Sequence, residues 1–168
     1  DPELIRRLPK NDLHVHLDGS LRLPTVIDLA RSRRVALPSE TQEGLRELVF
    51  RSHYNNLAEY LEGFTYTVAV LQDAEALERA ACELAEDCQA EGVCYLEVRF
   101  APQLHVRSGF EVADVVRAVD KGLRRATAAF NARPEVVSGE EPRFVAGIIL
   151  CSLRFFNPQF SVGYERFF

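Results

Sequence analysis

Ionisable and apolar residues alternate through Asp12-Leu13-His14-Val15-His16-Leu17-Asp18-Gly19. Side chains two apart on a strand share a face. The pattern therefore predicts a strand with Asp12, His14, His16 and Asp18 on one side and Leu13, Val15 and Leu17 on the other. Two imidazoles so placed can converge on one metal ion, and a neighbouring carboxylate can fix an imidazole tautomer or hold a ligand. Gly19 lets the chain turn sharply where the strand ends. A strand with one solvated face shows the same alternation, so the His-x-His spacing alone does not separate a metal site from a polar surface.

The rest of the chain limits what such a site could serve. It has 168 residues, 47% hydrophobic and 27% charged, an ordinary globular composition of single-domain length. The net charge of −5 leaves no electrostatic footprint for nucleic acid or an anionic membrane. No apolar run approaches the roughly 20 residues of a membrane span, and Asp1-Pro2-Glu3-Leu4 carries no secretory pattern, so a cytoplasmic protein with a small-molecule partner is expected. Cys82, Cys88, Cys94 and Cys151 include no Cys-x-x-Cys pair and read as small buried thiols. The cluster Arg31, Arg33, Arg34 reads as a solvated helix end.

Pro24 opens a helix carrying Val26, Ile27, Leu29 and Ala30 to about Arg34. Ser39 and Gln42 form a capping-box pattern ahead of Leu45, Leu48 and Val49. The 3.6-residue rhythm returns through Leu57, Tyr60, Leu61, Phe64, Val68 and Leu71. Asp73 is a candidate N-cap for a long helix with a stripe of Leu77, Ala80, Ala81, Leu84, Ala85 and Cys88, and Gly92 stands where a left-handed residue closes it. Val93 to Phe100 reads as a strand ended by Ala101-Pro102, followed by a helix from Val112 to Phe130. Arg133 to Pro142 reads as a loop. Phe144 to Leu150, almost wholly apolar, reads as a parallel strand covered on both faces.

Strands alternating with helices imply a parallel sheet joined by helical crossovers. Three strands with a polar inner face and two open edges make a poor independent domain. In a closed eight-stranded barrel of about 250 residues the same polar face would line the active site at the strand ends. The chain is therefore expected to be α/β, the N-terminal part, about three β/α units, of a TIM-type barrel. Residues 1–168 would form a single incomplete barrel domain, and the closing segment with Gln159, Tyr164, Glu165, Phe167 and Phe168 reads as a helix begun and cut.

These residues carry a family resemblance. Leu8 to Ser20, Ala36-Leu37-Pro38, Leu57 to Phe64, Gly92 to Pro102 with Glu97-Val98-Arg99 at its centre, and Ile149-Leu150-Cys151 with Arg154 follow a familiar order. The chain resembles adenosine deaminases of the metal-dependent amidohydrolase superfamily. The resemblance implies His14 and His16 as ligands of a zinc ion. It implies His16 and Asp18 in contact with substrate, Asp18 on the ribose side, and Tyr60, Leu61 and Phe64 on a helix that lids a purine pocket. Ordinary core packing is the competing reading for those three. Glu97 and Arg99 are expected to form an ion pair in the barrel lumen.

The family's third histidine, its His-Ala-Gly-Glu segment and its late aspartate pair have no counterpart in these residues. His53 and His105 are the other histidines, and His105 reads as a loop histidine rather than a third ligand. The complete enzyme implied is a zinc-dependent hydrolase that releases ammonia from adenosine or a related aminopurine nucleoside, the 168-residue chain alone being inactive. Two alternatives stand beside it: a deaminase of adenine or an amino-futalosine-type nucleoside, and a non-catalytic fragment that pairs with a complementary chain or itself through exposed barrel edges. The His-x-Glu and Pro-Cys-x-x-Cys signature of cytidine-type deaminases is absent.

Overall fold

The computed structural model describes residues 4–5 and 8–153. Three parallel strands lie in chain order: β1 (Lys10–His16), β2 (Val93–Phe100) and β3 (Val145–Leu150). Between β1 and β2 run α1 (Leu23–Arg33), α2 (Gln42–Leu48), α3 (Leu57–Val70) and α4 (Ala74–Ala90). Between β2 and β3 run α5 (Val112–Asn131) and a short α6 (Pro134–Val137). The helix expected beyond Arg154 lies outside the described residues.

Alternation along β2 separates two faces. Leu96, Val98 and Phe100 are buried with Leu77, Ala81, Leu84 and Ala85 of α4 and Val115, Val119 and Leu123 of α5 in the main core. Tyr95, Glu97 and Arg99 point to the other, uncovered side. Burial of the apolar stripes of α4 and α5 is what holds the layer of helices to the sheet. The two helices approach closely at Gly122, where an added Cβ would stand 2.2 Å from the Glu78 carbonyl oxygen.

Local signals explain the helix ends. Asp73 caps α4 by accepting from the Ala76 N–H at 2.9 Å, and Gly92 beyond it has φ 81°. The cap of α2 is Thr41, which accepts from the Gly44 N–H at 3.1 Å. Ser39, expected there, instead accepts from the Thr41 N–H at 3.2 Å, because the turn before the helix is two residues longer than the capping-box pattern suggested.

Three further expectations are corrected. The Arg133–Pro142 stretch contains α6, opened by Pro134 at its first turn. β3 is only partly covered: Val145 lies across from Tyr95 on the uncovered face, and Val145 and Leu150 are each 52% exposed. Arg33 is not solvated: its guanidinium donates to both Asp73 oxygens at 2.7 and 2.8 Å, tying the end of α1 to the start of α4. Cys82 and Cys88 are buried and all four thiols are free.

Candidate metal and substrate site

The site begins with a bulge. Asp12 pairs with Leu96 and Val15 with Val98, so three steps along β1 match two along β2. Leu96 and Val98 face the helices; Asp12 therefore turns to that side with Val15, where its charge helps raise the buried Cys88 thiol of α4 to about 11, after desolvation as the main cause. Asp12 does not join the histidine face. Leu13, expected on the face opposite the histidines, is 55% exposed because the bulge puts it on the open side. His14 and His16 do share that side, with ring centres 5.5 Å apart, and His16 lies opposite Arg99.

Beyond His16 the chain turns at once. Leu17 continues the ladder by donating to the Arg99 carbonyl at 3.0 Å, while the Ser20 hydroxyl and Gly19 N–H donate to the His16 carbonyl at 2.6 and 3.3 Å. The turn buries Asp18, whose Oδ1 has no hydrogen-bond partner and stands 3.8 Å from His16 Nδ1. Desolvation lifts the Asp18 pKa, opposed by the nearby His16 and by the N–H groups of Asp18 and Gly19.

Arg99 occupies a place the sequence did not suggest. Its Nη1 lies 2.9 Å from His14 Nε2, whereas Glu97 accepts from the Tyr95 hydroxyl at 2.9 Å, so the expected Glu97–Arg99 ion pair is replaced by two separate contacts. Only the bulge, which brings His14 across from the Glu97–Arg99 stretch, makes this possible. No periodic signal announces a bulge in a strand of alternating residues.

The candidate lid residues project from α3. Tyr60 and Leu61 are 46% and 49% exposed and are not core residues, while Phe64 is half-buried. Tyr54, Tyr60 and Phe64 form an edge-to-face series with centres 5.3 and 5.6 Å apart. The series ends over the turn after β1, where the Phe64 ring would meet a Cβ at Gly19 at 3.3 Å. Aromatic side chains thus reach the loop that carries Asp18.

The other histidines stand apart. His53 is exposed, with Nδ1 3.0 Å from the Ser52 hydroxyl. His105, expected in a loop, is fully buried, and its Nδ1–H donates to the Leu71 carbonyl at 2.8 Å. Desolvation lowers its pKa to about 4, keeping the ring neutral. Among the described residues no three His, Cys, Asp or Glu side chains come together as a metal-binding group. Nor is any helix among them long and apolar enough to cross a membrane.

A parallel sheet with helices on one face and a histidine pair on the other, at the C-terminal end of its first strand, has the layout of an α/β barrel segment. Comparison with known proteins makes this specific: residues 9–154 match the adenosine deaminase family, and the chain belongs to that family. It is 46% identical over 126 residues to adenosine deaminase of Shewanella halifaxensis, covering 74% of this chain and 38% of that protein. Arabidopsis ADAL, solved in complex with GMP, superposes with a TM-score of 0.69 at 24% identity, covering 94% of this chain and 44% of that one. An amidohydrolase from Burkholderia ambifaria, solved with bound zinc, gives 0.67 at 24% identity, covering 88% and 36%. The fold is thus about three β/α units of a TIM-type barrel. The chain spans less than half the length of each of these relatives.

Proposed function

We propose that this chain supplies the first-strand half of the active site of a zinc-dependent hydrolase that deaminates adenosine or a related aminopurine nucleoside, within one barrel domain of a cytoplasmic enzyme. The observation that carries the reading is the pair His14 and His16 on the uncovered face at the end of β1, in a chain of the adenosine deaminase family. The two rings stand 5.5 Å apart on one side of the strand, near enough for both to reach one ion. When bound, zinc would supply the Lewis acidity that activates water toward purine C6, the amino group leaving as ammonia.

The chain's own residues would do the following. His14 and His16 would present ring nitrogens to the cation, His14 exchanging its contact with Arg99 for it. Asp18, with an unpartnered oxygen in a buried turn, would accept a hydrogen bond from a substrate hydroxyl on the ribose side, beside His16. Tyr60, Leu61 and Phe64 would cover the purine and exclude water.

The test joins these residues to the remaining strands of a bacterial relative. The assembled protein should bind zinc and release ammonia from adenosine, whereas His14→Ala or His16→Ala should lose both while keeping the helical circular dichroism signal. The 168 residues alone should release none. Zinc content unchanged in both alanine variants would remove the ligand assignment.

A further inference from the structure

We propose that the open cavity beside the Gly19 turn, bordered by the start of α1, the end of α2 and α3, binds an organic phosphate monoester at a site separate from His14 and His16. The cavity measures about 490 Å³, several times the room a bare phosphate ion needs. Arg46, Arg51 and Ser52 line one part of it and Leu21, Leu23 and Phe50 another, and no carboxylate lines it.

Arg46 and Arg51 are less closely paired than several other arginines of the molecule. Arg22, Arg33, Arg79 and Arg125 each make a close charge-assisted contact to a carboxylate. Arg46 makes no ion pair among the described residues, its contact being Nη2 to the Gln42 side-chain oxygen at 3.4 Å. Arg51 holds Glu59 at 3.4 Å through Nη2 and stacks its guanidinium 5.2 Å from the Tyr54 ring centre, while its Nε is buried without a partner. The stack on Tyr54 orients the guanidinium, whose planar fork of donors matches phosphate oxygens. Ser52 adds a hydroxyl at the rim. Leu21, Leu23 and Phe50 give an apolar wall that a bare ion could not use, which selects an organic ester.

The site does not rest on the deaminase reading, and its test keeps the two apart. Titration of the 168-residue chain with AMP, inorganic phosphate and adenosine at low ionic strength, followed by calorimetry, should show saturable binding of AMP, binding of inorganic phosphate at least about tenfold weaker, and no displacement of AMP from this site by adenosine. Arg46→Gln and Arg51→Gln should each weaken AMP binding about tenfold to a hundredfold, the loss expected for a hydrogen bond to a charged group. Ser52→Asp, an exposed change that leaves both arginines in place, should abolish it by repulsion. His14→Ala and His16→Ala should leave it unchanged. Absence of saturable AMP binding, equal affinity in the arginine and Ser52→Asp variants, or loss in the histidine variants alone would each overturn the proposal.

Discussion

His14 has one lone pair on Nε2, and Arg99 shares it. A cation and a guanidinium cannot use that lone pair together, so Arg99 competes with any metal at the histidine pair. Arg99→Gln is expected to raise the affinity of the chain for Zn2+ or Co2+ about tenfold, the lower bound for a charge-assisted hydrogen bond; a titration giving the wild-type constant would show that the contact does not persist in solution. His105 makes a separate prediction, about stability. Its folded pKa of about 4 lies below the ordinary histidine value of 6.5. Between those limits the unfolded chain binds a proton that the folded chain does not. Stability should therefore fall as pH drops from about 6.5 toward 4, by up to about 3 kcal/mol. Urea denaturation across that range should show the slope, and His105→Gln should flatten it, even with a lower stability throughout.

The elements depend on two junctions. Where α4 crosses α5, Gly122 lets backbone meet backbone: an added Cβ would also stand 2.9 Å from the Ala81 Cβ and 3.0 Å from the Cys82 nitrogen. Gly122→Ala must push the helices apart and should cost about 1–3 kcal/mol, at the upper end because the obstruction is main chain. Thermal unfolding at the wild-type midpoint would show that the helices can separate freely. Asp73 serves two elements, capping α4 and receiving Arg33 from α1. Burial disfavours its ionised form, but the Arg33 guanidinium and the Ala76 N–H outweigh that and hold its pKa below the usual carboxylate value. Its contribution is therefore present above that value and lost as pH falls through the lowered one. Asp73→Ala should destabilise by about 1–3 kcal/mol near pH 7, with the deficit shrinking in acid.

At the scale of the whole molecule, one sheet face is packed and the other is open. Polar contacts bind the α1 side to α4: Arg22 to Asp87 at 2.6 Å, Thr25 to Glu83 at 2.5 Å, and Arg79 to Asp28. They orient the helices over the main core without covering the histidine face. Both β1 and β3 are edge strands among the described residues, and exposed Val145 and Leu150 lie on β3. Such an edge templates pairing with another chain. Sedimentation velocity is expected to show association rising with concentration, and Val145→Lys should reduce it; the same distribution in both proteins would mean that β3 takes no part.

The amino-acid order by itself determined the alternation of strands and helices, because apolar spacing and capping residues act over a few positions. Val93 to Phe100 and the Asp73-capped helix have such local causes, and so does the placement of His14 and His16 near a strand end. Tertiary structure decided what crosses between elements. The bulge at Leu13 and His14 arises from how β1 registers on β2, and it moved Asp12 to the helical side. Arg99 reached His14 instead of Glu97 for the same reason. His105 became a core residue because the chain after β2 folds under Leu71, and Arg46 and Arg51 met at one cavity because α2 and α3 pack against α1. Those outcomes depend on distances between segments far apart in sequence, which no local periodicity encodes.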